Sequence, residues 1–123
     1  METKRVDVEI NIKDVLDKYR EYVWKEVQKY LKKPDYPEVF EIPKRYNSLA
    51  DKYWKTVKTY PERKGKYLRP TLVILTAEAM GKKRKDALKT AAAMQLSEEW
   101  MLIHDDWEDG SLLRRGQPTL HRI

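Results

Sequence analysis

The stretch that decides the fold is residues 70–81, PTLVILTAEAMG, which is almost entirely apolar between a proline and a glycine. Proline suits the first turn of a helix, where its missing N–H is not needed, and glycine suits the residue just past the end. A nearly all-apolar segment between these signals predicts a central, buried helix at about residues 70–80.

The chain upstream of this segment also has a helical pattern. Apolar residues recur there at three- and four-residue steps, which is the period of one helix face. They predict a helix over about residues 11–33, ended by Pro34 and Pro37, and a second over about residues 44–58, ended by Pro61.

The chain downstream continues the helical pattern. Asp86 is expected to be the N-cap of a helix over about residues 86–109, which Gly110 breaks. After a loop, a further helix is expected to begin at Pro118 or Thr119. We find no strand pattern, so the predicted fold class is all-α, with the chain forming one domain or a part of one.

Composition excludes several classes of protein. The 123 residues contain no cysteine, which excludes a disulfide scaffold. No apolar run approaches the length of about 18 residues that a membrane span needs, and the first residues lack the apolar stretch of a signal peptide. A cytoplasmic protein is therefore expected.

The charges are unevenly distributed along the chain. The net charge of +6 alone would suit a nucleic-acid-binding bundle. However, six of the 20 acidic residues lie between Glu98 and Asp109, a stretch without Lys or Arg. Like charges so close repel one another unless a cation or a proton joins them, so this patch argues against a nucleic-acid partner.

Three of these acids form a DDxxD pattern at Asp105, Asp106 and Asp109. Residues three and four apart are neighbours on a helix surface. Carboxylates on one face suit Mg²⁺, which also keeps positions for water and substrate phosphate. A solvated acidic helix end is the alternative, but acids at a helix C-terminus oppose the helix dipole, and such a local conflict indicates function.

Two pairs of cations flank this pattern. Arg114 and Arg115 follow the aspartates in the motif RRG, and guanidinium groups grip phosphate oxygens with paired hydrogen bonds. Lys66 and Arg69 lie in GKYLRP, just before the apolar helix, and could bind a second anion. Taken singly, each pair could also be an ordinary solvated surface feature.

The ordered set GKYLRP, LIHDDWED and SLLRRGQPT strongly resembles the trans-prenyl diphosphate synthases, the all-α isoprenoid chain-elongating enzymes. The resemblance covers about residues 65–123 and implies the N-terminal helices of the isoprenoid synthase bundle. It also implies condensation of isopentenyl diphosphate with an allylic diphosphate, with Mg²⁺ as cofactor.

The resemblance assigns a role to each motif. Asp105, Asp106 and Asp109 would be the magnesium motif, with Asp105 and Asp109 the expected direct ligands. The allylic diphosphate would bind Arg114. The residues implied to bind isopentenyl diphosphate are Lys66, Arg69 and Arg115.

One position departs from the family pattern. Glu98 stands where the family usually has His or Gln against isopentenyl diphosphate, and an ionised carboxylate would repel a diphosphate. Glu98 is kept as a binding residue that would be protonated, or paired with a neighbouring cation. His104 is expected to have a structural or supporting role.

Two residues that precede the aspartates in the sequence are expected to influence the length of the product. By resemblance, Trp100 and Met101 line the channel that holds the growing chain. A bulky residue at this position resembles the archaeal geranylgeranyl type, so a C20 product is expected. The alternative is that Trp100 is an ordinary core residue.

The family's second aspartate-rich motif does not occur in these 123 residues. We therefore expect a truncated N-terminal part of a synthase, inactive alone, whose apolar faces favour a homodimer or another self-associated form. A non-catalytic regulatory or scaffold subunit of a heteromeric synthase is the alternative.

Overall fold

The computed structural model describes residues 10–33, 35, 37 and 40–123. Within them the chain forms four α-helices, and an all-helical fold class is confirmed, apart from one two-residue strand pair near the end. The helices are α1 (Ile12–Tyr30), α2 (Asn47–Glu62), α3 (Leu68–Ala79) and α4 (Arg84–Glu108).

The core forms where α1, α3 and α4 pack together. Val23 and Val27 of α1, Ile74 of α3, and Ala91 and Ala92 of α4 are fully buried in one cluster. The small alanines let α4 approach its neighbours closely, while the larger side chains fill the space between the helices.

The expectation that α3 is wholly buried is only partly right. Ile74 is buried, but Leu72 on the same helix is 53% exposed, as is Leu68. An apolar sequence predicts that every face of the helix is covered, but in this chain α1 and α4 cover only one side of α3.

The predicted end of the second helix is wrong. Lys44–Tyr46 form a separate 3-10 turn, and α2 then continues past Pro61 to Glu62. Pro61 has no N–H to donate, but the helical hydrogen bonds resume after it, since the N–H of Arg63 bonds to the carbonyl of Thr59 at 3.3 Å.

The other helix ends differ from prediction by a few residues. Asp86 is not the N-cap of α4, since Lys83 occupies that position. The Asp86 side chain accepts a hydrogen bond from the backbone N–H of Lys83 at 3.2 Å. The helix α1 ends at Tyr30, and the predicted breaker Pro34 lies outside the described residues.

The segment after α4 is a hairpin rather than a loop. Strand β1 (Leu113–Arg114) pairs antiparallel with β2 (Gln117–Pro118), and the two residues between them, Arg115 and Gly116, both have positive φ, at 53° and 74°. These angles are those of a type I′ turn, which matches strand twist and favours glycine. The predicted further helix is only a 3-10 turn at Leu120–Arg122.

Among the described residues, no helix combines the length and the apolar character that crossing a membrane requires.

Candidate anion-binding site

A groove of about 740 Å³ lies between α1, the loop before α3, α4 and the hairpin. It brings together all five residues predicted to bind substrate: Lys66, Arg69, Glu98, Arg114 and Arg115. Cationic groups from two separate segments of sequence therefore meet around one opening, which suits a small polyanion.

Arg115 is held in this groove by a buried carboxylate. Its two terminal nitrogens donate to the two oxygens of Glu99, at 3.1 and 2.9 Å, and one also donates to the backbone carbonyl of Tyr60 at 3.0 Å. The side chain of Glu99 is only 2% exposed, and Gln95 donates to it at 2.7 Å. The guanidinium is therefore held by three hydrogen bonds to two partners.

The glycine of the GKYLRP motif is required by this arrangement. A Cβ atom on Gly65 would lie 2.7 Å from Nη2 of Arg115, closer than side-chain carbons come to other atoms. A side chain at residue 65 would therefore have to displace this guanidinium, which Glu99 and the Tyr60 carbonyl hold in place.

Arg114 is paired with an aspartate of the DDxxD pattern. Its Nε donates to both oxygens of Asp106, at 3.1 and 3.0 Å, and its Nη2 also bonds to that carboxylate. Asp106 is fully buried and accepts a further hydrogen bond from the Tyr60 hydroxyl at 2.6 Å. Tyr60 in turn accepts from the N–H of Leu120 at 3.2 Å, so the 3-10 turn after the hairpin is also joined to α2 here.

Arg69 forms the third pair, with Glu98. A guanidinium nitrogen of Arg69 donates to Glu98, which explains how a carboxylate is tolerated at this position. The Arg69 side chain is 63% exposed and that of Glu98 is 20% exposed, so this pair lies near solvent. Lys66 is exposed and has no ion pair within the described residues.

The two buried carboxylates differ in acidity. Hydrogen bonds from Arg114 lower the pKa of Asp106 below its usual range, and the Tyr60 hydroxyl adds to this effect. Burial raises the pKa of Glu99, and this outweighs the lowering by Arg115. Asp106 is thus firmly ionised, whereas Glu99 accepts a proton more readily.

The three aspartates of the DDxxD pattern do not form a cluster. Within the described part of the chain, no group of three or more acidic or histidine side chains is placed to hold a metal ion. Asp106 points to Arg114, while Asp105 and Asp109 are exposed; Asp105 Oδ2 lies 3.8 Å from Nη2 of Arg114. One or two carboxylates together with substrate phosphates are the usual magnesium ligands, so Asp105 and Asp109 fit Mg²⁺ and Asp106 does not.

The residues predicted to set product length lie on the surface in this chain. Trp100 is 63% and Met101 56% exposed. Trp100 packs edge-on against His104 with ring centroids 4.6 Å apart, and His104 Nδ1 lies 3.0 Å from the Trp100 carbonyl. His104 also lines an apolar cavity of about 460 Å³ between α2 and α4, together with Val57, Ile103 and Trp107.

Several residues of the site were missed from the sequence. Nothing in the sequence singles out Tyr60, which lies next to Pro61 at the predicted end of a helix, or Glu99, which is one of several acids in a row. Arg20 of α1 and Lys64 also line the groove, but nothing distinguishes them in a chain with 26 basic residues. The strained backbone of Tyr67, with φ of 57°, also gave no sequence signal.

The fold and the site together define a mostly helical chain whose cationic groove, beside exposed aspartates, carries groups that suit anions. Residues 51–123 match the model of the polyprenyl synthetase family. The chain belongs to that family, as the sequence resemblance predicted.

Individual relatives agree with this assignment. The short chain isoprenyl diphosphate synthase of Methanothermobacter thermautotrophicus is 35% identical over 97 residues, covering 68% of this chain and 30% of that protein. The geranylgeranyl diphosphate synthase of Methanosarcina mazei is 46% identical over 57 residues, covering 46% of this chain and 18% of that protein. The farnesyl diphosphate synthase of Bacillus subtilis is 41% identical over 61 residues, covering 48% of this chain and 21% of that protein. The chain thus spans less than a third of the length of these relatives.

Proposed function

We propose that this chain supplies the diphosphate-binding part of a chain-elongating prenyltransferase, which condenses isopentenyl diphosphate with an allylic diphosphate to geranylgeranyl diphosphate. The observation that carries the proposal is the single groove around which Lys66, Arg69, Arg114 and Arg115 converge. Two of the relatives' names, short chain isoprenyl and geranylgeranyl diphosphate synthase, support the substrate class.

In the proposed reaction, different cations bind the two diphosphates. Lys66, Arg69 and Arg115 hold the diphosphate of isopentenyl diphosphate in the groove. Arg114 and the two exposed aspartates, Asp105 and Asp109, hold the allylic diphosphate at the end of α4. Mg²⁺ bound there would neutralise the diphosphate as it leaves.

We also propose that the chain is inactive alone. Its 123 residues do not contain the family's second aspartate-rich motif, and of the first motif only Asp105 and Asp109 are exposed. Two carboxylates on a helix end leave most magnesium positions to water and substrate.

The test uses an analogue of the allylic diphosphate that cannot lose its diphosphate group. Its binding by the chain is measured with and without Mg²⁺. We expect binding to depend on Mg²⁺, and this dependence to disappear in the double variant Asp105→Asn, Asp109→Asn. Glu41→Gln, an exposed acid that lines a separate pocket, is the control. Binding that ignores both Mg²⁺ and the aspartates would instead favour a non-catalytic subunit.

Catalysis is tested in a chimera. The chain is joined to the part of the Methanosarcina mazei relative that follows its matched segment, and incubated with Mg²⁺, isopentenyl diphosphate and farnesyl diphosphate. We expect a C20 product from the chimera by mass spectrometry and none from the chain alone or from the aspartate variant of the chimera. A product from the chain alone would overturn the proposed inactivity.

A further inference from the structure

The two adjacent glutamates of α4 hold their arginines in different ways. Glu99 is buried, uses both oxygens on Arg115 and is itself held by Gln95. Glu98 is nearer to solvent, and among the described residues its side chain accepts a hydrogen bond from Arg69. One pair is anchored and the other can open.

We infer that these glutamates act on diphosphate binding in opposite directions: Glu99 is a positioning residue that keeps Arg115 in the groove, and Glu98 competes with the diphosphate for Arg69. The inference rests on the proposed function only in taking the groove as a diphosphate site.

Competition at Arg69 follows from the exposure of its pair. An ion pair near solvent contributes little to stability, so it is readily exchanged for another anion. A diphosphate offers a guanidinium the same paired oxygens as a carboxylate, with more charge. Binding must therefore break the Arg69–Glu98 pair, and it leaves the Glu98 carboxylate close to the incoming anion, which that carboxylate repels. Both effects oppose binding.

Positioning of Arg115 follows from burial. Removing one partner of a buried pair leaves the other charge without compensation, so the guanidinium would be driven out of its place. Arg115 also has a left-handed backbone, with φ of 53°, and contacts the loop at Gly65. Without Glu99, both the guanidinium and the neighbouring Lys66 loop lose their fixed arrangement.

Charge alone predicts a different result. If the glutamates acted only through the field in the groove, removing either one would make the groove more positive and tighten the binding of any anion. Glu98→Gln and Glu99→Gln remove the same charge from neighbouring residues. Opposite effects on binding would therefore show that the glutamates act through their arginine partners and not through the overall charge of the groove.

The experiment is calorimetric titration of the chain with inorganic pyrophosphate, without divalent metal and at constant low salt. We expect Glu98→Gln to tighten binding by about fivefold, since relief of an exposed pair gives a modest gain. We expect Glu99→Gln to weaken it by roughly tenfold. The matched control Glu41→Gln is expected to leave binding unchanged.

A second comparison tests whether Glu98 acts through Arg69. In the Arg69→Gln background, Glu98→Gln should lose most of its gain, because there is no guanidinium left to release. An undiminished gain in that background, effects of the same sign for both glutamates, or no binding by the chain or its Glu98→Gln variant would overturn the inference. Circular dichroism checks that Glu99→Gln is folded; should it unfold, the Glu98 comparison decides alone.

The inference and the proposed function can fail separately. The titration contains no metal and measures pyrophosphate binding in the groove. The proposed function is tested by Mg²⁺-dependent binding that requires Asp105 and Asp109. Unchanged pyrophosphate binding in Glu98→Gln would reject the competition while leaving the magnesium result intact.

Discussion

At the scale of single residues, Asp106 shows how one motif residue differs from its neighbours. The DDxxD spacing places acids on adjacent positions, and adjacent residues point in different directions around a helix. Asp106 turns inward to Arg114 and Tyr60, while Asp105 and Asp109 stay exposed. The same chemical group therefore stabilises the fold at one position and stays exposed at the other two.

Asp106→Asn should destabilise the chain by about 2 kcal/mol, somewhat less than a fully buried pair because Arg114 is 30% exposed. Because its pKa is lowered in the folded state, the stabilisation from Asp106 is present above the unfolded pKa, near 3.8, and is lost as pH falls through the folded pKa. Denaturant unfolding at several pH values measures this. Asp109→Asn is the control, and an equal loss in both variants would contradict the assignment.

Trp100 is the residue on which product length is expected to depend. Trp100→Ala should lengthen the product of the chimera, because removal of a bulky ring gives the growing chain more room. Mass spectrometry of the products measures the change. Trp107→Ala, which removes an equally exposed ring further along α4, is the control. Unchanged product length in Trp100→Ala would refute the assignment.

At the scale of elements, the hairpin and the loop before α3 are held together by Arg115. The type I′ turn presents Arg115 to Glu99 of α4, and the loop closes over it at Gly65. Arg63 adds a hydrogen bond to the Arg114 carbonyl at 3.3 Å. These contacts join α2, α4 and the hairpin through polar groups rather than through the apolar core.

Gly65→Ala should destabilise the chain by roughly 1–2 kcal/mol, because its Cβ would push against a guanidinium that Glu99 holds in place. Thermal unfolding measures the loss. In the Arg115→Ala background the same substitution should cost much less, since the obstructing atoms are gone. An equal cost in both backgrounds would show that the loop, and not Arg115, is the source of the strain.

At the scale of the whole molecule, the surface has apolar side chains on more than one helix. Those at least 47% exposed on α2 and α4 include Leu49, Tyr53, Val57, Trp100 and Trp107. Val57 and Trp107 also line the apolar cavity between these helices. Contiguous exposed apolar surface favours association.

The chain should therefore self-associate reversibly as its concentration rises. Sedimentation velocity measures this, and the variant Val57→Lys, Trp107→Lys should shift the population toward monomer by placing charges in the apolar cavity. Met80→Lys, at an exposed apolar residue just past the end of α3, is the control. A monomer at every concentration would contradict the prediction.

The sequence by itself determined the helices, the family and five of the residues that line the groove. Helical periodicity and the order of the three short motifs are local properties, so they can be read without knowing how the helices pack. Errors fell at element ends, where Pro61 was tolerated in a last turn and RRG formed a hairpin instead of a loop.

Only the tertiary structure decided which partners the acids of the site meet. Asp106 meets Tyr60 across 46 positions of sequence, and Arg69 meets Glu98 across 29. Such pairs depend on the relative placement of α2, α4 and the loop before α3, which packing sets and residue spacing does not. The sequence therefore predicted a cationic site, and the fold determined which of its cations are already paired.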